Sequence, residues 1–323
     1  MKVGFTITGI LASLLFANAA LSQNYPTKPV RIMVGYAPGG GVDTTARMVG
    51  QALGDLWGTP VIIENRPGAA GNIATEYTAK APPDGYTLVL CNIGSHAVTP
   101  ARFRGKLTYD PIRDFAFPSM IGGVPNVLMV HPSMPAKTLR QYIAYARANP
   151  GKVNFGSSGV GASPHLSMEL LKTMTGIDIV HVPYKGAGPA LTDAISGHIE
   201  SSVGNLAGAP LAAVKSGRVR ALGVTSARRN AQLPNVPMFA EAGVPGYDVT
   251  GWYGICTQAK VPQPVLAKLN GDLHKVLAGP LKKRLEDEGI DVMPSTPEQF
   301  AAHAKAEIEK WTKVVIAAKL EAE

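Results

Sequence analysis

Cysteine is nearly absent: the 323-residue chain has two, Cys91 and Cys256. So few thiols exclude a disulfide-stapled fold, and nothing around them has metal-ligand spacing. Each lies in an apolar, strand-like run (TLVLC and WYGIC), so a pair and two buried free thiols both stay open. Beyond the N-terminal segment no stretch approaches 18 continuous apolar residues, the length a membrane span needs. The motifs of several enzyme classes are missing too. No G-x-x-x-x-G-K-[ST] or G-x-G-x-x-G occurs for a nucleotide, and no H-E-x-x-H for a metal. Gly156-Ser157-Ser158-Gly159 is not a G-x-S-x-G nucleophile elbow. Basic residues outnumber acidic ones, 31 to 23, for a formal net charge of +8. They are scattered without a stripe of interleaved aromatics, which argues against nucleic acid as a partner. A mild positive field favours the arrival of an anionic solute.

What is present begins with an address. Lys2 supplies a positive start, Val3 to Phe16 is apolar apart from Thr6, Thr8 and Ser13, and small residues follow at Ala17-Asn18-Ala19 and Ala20-Leu21-Ser22. That grammar is a secretory signal peptide over residues 1–22, with cleavage near Ala20 to Gln23 and no lipobox cysteine. The remainder is long enough for two domains with separate cores.

From Val30 onward, strand and helix signals alternate. Val30 to Gly35 reads as a buried strand, and Val42, Ala46, Val49, Leu53 and Leu56 recur with the period of one helix face. Strands at Val61 to Glu64 and Tyr86 to Cys91 flank a helix at Asn72 to Ala81. After Gly122-Gly123-Val124-Pro125 the style repeats, with strands at Val127 to Val130, Val153 to Gly156, Asp178 to Val182, Ile199 to Val203 and Val219 to Thr225. The last third is helical, ending in a helix with Thr296 as N-cap, Pro297 at N1 and Gln299 at N3, and with Phe300, Ala304, Ile308, Trp311 and Val315 along one stripe. Such alternation predicts an α/β protein of two lobes, each a mainly parallel sheet flanked by helices. The expected division is 23–124 with 226–323 as a discontinuous first lobe and 125–225 as the second.

Three glycine-rich turns join the end of a strand to the start of a helix: Ala37 to Asp43, Arg66 to Asn72, and Gly156 to Ser163. Open α/β sheets place ligands there. The first turn of a helix leaves backbone N–H groups without partners, and its dipole adds partial positive charge. Glycine lets the backbone come close to a ligand. An anion between such turns collects charge-assisted hydrogen bonds of about 1.5–3 kcal/mol each. Ser157 and Ser158 are the nearest approach to a nucleophile. His165 and Glu169, four apart, allow a metal pair or a surface hydrogen bond.

Taken together the motifs resemble a known family. Tyr36-Ala37-Pro38-Gly39-Gly40-Gly41-Val42-Asp43, Glu64-Asn65-Arg66-Pro67-Gly68-Ala69-Ala70-Gly71-Asn72-Ile73 and Pro83-Asp84-Gly85-Tyr86-Thr87-Leu88 are similar to those of the Bug or TctC family. So are Tyr109 to Phe115, Asn154 to Gly159, His165-Leu166, Val182 to Ala190 and Gly251-Trp252-Tyr253-Gly254. The resemblance covers essentially the whole chain after the signal peptide, in order. These are periplasmic receptors of tripartite tricarboxylate transporters, so it implies a type II, Venus-flytrap binding protein that is not an enzyme and uses no cofactor or metal. Its implied partners are a dicarboxylate, tricarboxylate, amino acid or aromatic acid, and transporter membrane subunits or a sensor kinase. A hydrolase on the same fold is the remaining alternative. The ligand residues it implies are Tyr36, Gly39, Gly40, Gly41, Asp43, Ala70, Gly71, Asn72, Ser95 and His96 in the first lobe. From the second come Ser158, Gly159, Gly161, Ser163, His165, Tyr184 and Asn205. No arginine clamp is implied; Arg66 and Lys185 are the nearest basic side chains by sequence. Departures at Cys91 to His96 and Ser201 to Asn205 border the part of the ligand distal to its carboxylate.

Overall fold

The computed structural model describes residues 25–317, so the expected signal peptide and its cleavage point lie outside the described residues. The first lobe opens with β1 (Val30–Val34), α1 (Gly41–Trp57), β2 (Val61–Asn65), α2 (Asn72–Ala79) and β3 (Thr87–Asn92). The three strands are parallel in the order β2-β1-β3, with Val30 opposite Val61 and Ile32 opposite Leu88. A short π-helical turn, Gly94–Val98, and α3 (Thr99–Arg102) lead to β4 (Phe115–Val130). The second lobe holds α4 (Leu139–Ala148), β5 (Asn154–Ser157), α5 (Ser163–Thr175), β6 (Val180–Pro183), α6 (Ala187–Ile195), β7 (Ser201–Asn205), α7 (Ala209–Lys215) and β8 (Arg220–Val224). Here β6-β5-β7 form the parallel run. The chain then returns through β9 (Thr250–Gln258), α8 (Gln263–Ala278), α9 (Pro280–Asp287), β10 (Asp291–Val292) and α10 (Pro297–Ala317).

Strand β4 is the spine. Through Pro125, opposite Thr250, it pairs antiparallel with β9 in the first sheet; from Asn126, opposite Asn205, it pairs with β7 in the second. Its sixteen residues exceed the four-residue strand that the sequence suggests, because Gly122, Gly123 and Pro125 read as punctuation. Gly122 is needed because β10 crosses so closely that a Cβ would fall 2.2 Å from the Asp291 carbonyl. Pro125 stands where the strand changes sheets, and its carbonyl accepts the Leu206 N–H at 2.8 Å. The return crossing lies alongside: the Thr225 N–H donates to Asn126 O and the Val249 N–H to Thr225 O. The crossover strands therefore add antiparallel pairings to each parallel run.

Alternation along β9 divides the first lobe's core. Tyr253 and Ile255 face α1, α8 and α9, while Trp252 and Cys256 face α10. The terminal capping box forms as read, with Gln299 N–H to Thr296 Oγ1 and Thr296 N–H to Gln299 Oε1. Phe300, Ala304, Trp311 and Val315 are buried along its stripe. On α1, Leu56 departs from the predicted stripe and is 45% exposed; Trp57 turns inward instead and donates Nε1–H to Asp272. Cys91 and Cys256 form a disulfide between the neighbouring strands β3 and β9, closing a separation of 165 residues. The two thiols are paired.

Candidate functional site

The first lobe builds its side of the site from two turns locked together. Tyr36, just past β1, is buried and donates its hydroxyl proton to Ala70 O at 2.6 Å, with Asn92 Oδ1 at 3.2 Å. Ala69 and Ala70 hold positive φ, 47° and 54°, a strained backbone that this hydrogen bond helps fix. Asn92, at the end of β3, turns its Oδ1 into its own loop, where it accepts from the N–H groups of Gly94 and Ser95. Its amide nitrogen is left for the cleft.

Asp43 is nearly fully buried and braces the first turn. It accepts Arg47 on both oxygens, Asn65 Nδ2 and the Gly39 N–H. Burial is the largest single influence and opposes its ionisation, but the bonds from Arg47, Asn65 and Gly39 outweigh it and hold the carboxyl below its usual range. Helix α1 then begins at Gly41 with no side-chain cap.

The second lobe answers with α5, which also starts without a side-chain cap and carries Pro164 in its first turn. Asn126, wholly buried on the crossover strand, ties this helix to β7. Its Nδ2 donates to Ser163 Oγ at 2.8 Å and Ser167 Oγ at 2.7 Å, and its Oδ1 accepts Asn205 Nδ2 at 2.9 Å.

Between these elements lies one cavity. Tyr36, Val42, Asn92, Ile93, Gly251, Trp252 and Tyr253 line it from the first lobe, and Ser158, Ala162, Ser163, Pro164 and Asn205 from the second. None is charged. The Tyr253 hydroxyl is buried and meets no hydrogen-bond partner among the described residues. Burial raises its pKa far above the ordinary phenol, with the nearby Tyr36 acting in the same direction. It is a neutral donor with nothing to donate to, beside two helix starts whose dipoles favour negative charge.

The lobes are closed. The Ala37 N–H donates to Lys185 O at 2.9 Å, and the Gly208 N–H to Glu288 Oε2 at 2.8 Å. The space enclosed is about 10 Å³, near the lower limit for a single water.

Tyr36, Ser158, Ser163 and Asn205 are thus brought to the cavity as the sequence suggests, with Gly41 at its edge. Gly40 is buried behind, and Gly39 is exposed on the rim. Several expected contacts are turned elsewhere by competing partners. The Gly161 N–H is taken by His165 Nδ1 and the Gly159 N–H by Ser157 Oγ. His165 stacks on His181 at 4.1 Å and sets Nε2 3.7 Å from Glu169, with the histidine buried and the glutamate half-buried. His96 is fully buried edge-on against Phe115 and Phe117, bonded to Ser95, instead of facing the cleft. Tyr184 gives its proton to Asp193 at 2.5 Å, and Asn72 accepts from Tyr109. Ala70 and Gly71 shape the turn behind Tyr36, and Asp43 braces it. Arg66 is spent on Glu64 and the Tyr77 ring. Tyr253 and Asn92 also line the cavity, and Asn126 stands behind Ser163 and Asn205; a tyrosine in an apolar strand run gives no signal of an orphan hydroxyl.

Gly41 is glycine for space. A Cβ there would stand 2.9 Å from Ala207 Cβ, 3.1 Å from the Tyr253 hydroxyl and 3.3 Å from Asn205 Cβ. Its backbone admits a side chain, so Gly41→Ala fits the start of the helix while wedging the closed lobes. The expected result is a fold retained in circular dichroism with an expanded form in small-angle scattering. An unchanged scattering profile would remove the wedge.

Comparison with known proteins agrees with this geometry. Residues 45–320 match the model of the tripartite tricarboxylate transporter family receptor. The chain is 32% identical to protein BugT of Bordetella pertussis over 295 residues, 91% of this chain and 90% of that one. The structure of Rhodopseudomonas palustris Rpa4515 with adipate superposes with a TM-score of 0.88 at 36% identity, covering 91% of this chain and 98% of that one. MatC from the same organism, with bound malate, gives 0.83 at 31%, covering 90% and 100%.

Proposed function

The chain belongs to the tripartite tricarboxylate transporter receptor family, a family of solute-binding receptors, and on that footing we propose that it captures a small carboxylate-bearing molecule in the periplasm by closing two lobes. The observation that carries the reading is the unpartnered Tyr253 hydroxyl between the uncapped starts of α1 and α5, which come from opposite lobes. A carboxylate there satisfies the phenol and meets the first-turn N–H groups of both helices, with Ser158 and Ser163 beside it. Charge-assisted bonds of this kind contribute about 1.5–3 kcal/mol each. No cationic side chain lines the cavity, so the acid group is held by dipoles and neutral donors. Relatives with adipate and malate support ligands of this size.

The lobes divide at 124/125 and 225/226. Support comes from β4, which leaves one sheet for the other between Pro125 and Asn126, and from the backbone bonds that join Asn126, Thr225 and Val249. Rotation there opens the cleft. A four-carbon diacid needs more than the 10 Å³ now enclosed, so capture begins from the opened form and ends less tightly shut than here. Export by residues 1–22 fits the Cys91–Cys256 disulfide, a bond of oxidising compartments. Transfer to the transporter's membrane subunits is the purpose that the family suggests.

Turnover is not part of the reading. Ser157 does sit 2.6 Å from His181 Nε2, yet it is wholly buried, accepts the Gly159 N–H and lies outside the cavity lining.

A thermal-shift panel of mono-, di- and tricarboxylates, amino acids and aromatic acids tests the proposal, because binding to the folded state adds about 2.7 kcal/mol at one hundred times Kd. At least one carboxylate is expected to raise Tm; silence across the panel contradicts it.

A further inference from the structure

We infer that the cavity selects a carboxylic acid with a hydrogen-bond donor, a hydroxyl or amino group, beside its carboxylate, and that Asn205 reads that donor. This rests on the proposed reading that a carboxylate occupies the cleft, and it adds the chemistry of the neighbouring atom.

The hydrogen-bond polarity of the lining can be followed from one fixed point. Ser167 gives its single hydroxyl proton to Ser163 O at 2.9 Å, so its oxygen can only accept from Asn126, 2.7 Å away. The atom of Asn126 facing the serines is therefore nitrogen. Its second proton goes to Ser163 Oγ at 2.8 Å, which takes one lone pair of that hydroxyl and leaves its proton for the cavity. The opposite end of Asn126 is then the oxygen, and it accepts Asn205 Nδ2 at 2.9 Å. That orientation leaves Asn205 Oδ1, which meets no donor among the described residues. On the facing wall, Asn92 is polarised by its own loop: its oxygen takes two N–H groups, so nitrogen is left over.

The lining consequently presents the hydroxyls of Ser158, Ser163 and Tyr253 and the amide nitrogen of Asn92, with one amide acceptor, Asn205 Oδ1. Donors suit carboxylate oxygens. The acceptor suits neither a carboxylate nor a bare methylene, and left against either it keeps an unsatisfied oxygen. The Asn205 Cβ and the Tyr253 hydroxyl both border Gly41, 3.3 and 3.1 Å from where a Cβ there would stand, and Asn126 bridges Asn205 to Ser163. A ligand whose carboxylate is held at Ser163 thus sets the substituent on its adjacent carbon toward Asn205.

Matched pairs that differ only at that carbon provide the test: lactate and propionate, malate and succinate, 2-hydroxyglutarate and glutarate, with aspartate and glutamate as amino counterparts. Titration calorimetry on the full mature chain is expected to show the hydroxy or amino member binding at least about tenfold more tightly in any pair that binds, a difference of about 1.4 kcal/mol. Asn205→Leu is expected to weaken the hydroxy or amino member at least about tenfold more than its unsubstituted partner, with circular dichroism confirming the fold. Asn126→Asp, which makes Ser163 donate to a carboxylate instead of the ligand, is expected to weaken both members alike. Equal or reversed affinities within the binding pairs overturn the inference and leave carboxylate capture standing. Silence from every acid overturns both.

Discussion

Refolded in reductant, the protein is expected to be about 4 kcal/mol less stable than its oxidised form. The Cys91–Cys256 bond joins residues 165 apart, and closing a loop of that length restricts the unfolded chain near the upper end of the usual 2–5 kcal/mol range. Its position adds to this. Between the two cysteines lie part of the first lobe and the whole second lobe, and the bond fastens β3 to β9 directly beneath Asn92 and Tyr253. Both sulfurs are fully buried, so reductant acts only through unfolding, and the comparison must start from denatured protein. Urea transitions of oxidised and reduced samples measure the difference. Thiols fill nearly the same volume as the disulfide, so cavity formation does not confuse the result. A loss below about 1 kcal/mol contradicts the expectation.

Acid is expected to act on a similar scale. Burial pushes His96 down to about 3. Burial first, then His181, Arg102 and Lys172, push His165 to about 3 as well. An unfolded histidine takes its proton near pH 6.5. Above that pH both states hold neutral rings and contribute no slope. Between about 6.5 and 3 the unfolded chain binds protons that the fold refuses, so stability falls with falling pH by about 1.4 kcal/mol per unit for each residue. By pH 4.5 the pair has removed about 5 kcal/mol. His181, pushed down to about 4 by burial, Lys172 and Arg102, adds to the same loss. His96→Phe keeps an aromatic ring against Phe115 and Phe117 but has nothing to protonate, so it is expected to lessen the loss between pH 7 and pH 4.5 by about 2.7 kcal/mol in urea unfolding. A variant that loses as much as the parent would show that His96 is not the cause. The lowered carboxyl of Asp43 works in the same direction at still lower pH, since its protonation releases Arg47 and Asn65.

Local chemistry was the legible part of this chain. Thr296 and Gln299 announced a helix start from four residues, and the glycine-rich turns after β1 and before α5 announced helix starts that border a cleft. Long-range pairing was not legible. Gly122, Gly123 and Pro125 are breakers by composition, yet they lie inside the strand that carries the chain between sheets, because β10 and the sheet change need a bare backbone there. The same limit shaped the site. His96 and Tyr184 follow strands β3 and β6 and His165 lies in the first turn of α5, but Ser95, Gly161 and Asp193 each claim a polar atom of theirs, and which neighbour wins is decided by backbone geometry that residue types do not reveal. Tyr253 is the converse: an apolar strand context concealed a hydroxyl that the fold leaves without a partner.

That hydroxyl is also where the central claim is most directly exposed. Titration calorimetry of the parent chain and Tyr253→Phe, with the carboxylate that raises Tm most, isolates one donor of the cleft. The phenol has no partner among the described residues, so its removal is expected to leave the unliganded Tm unchanged or raised, while affinity falls about ten- to a hundredfold, the worth of one hydrogen bond to a charged group. Full affinity in Tyr253→Phe, with the fold intact, would contradict carboxylate capture at this cavity.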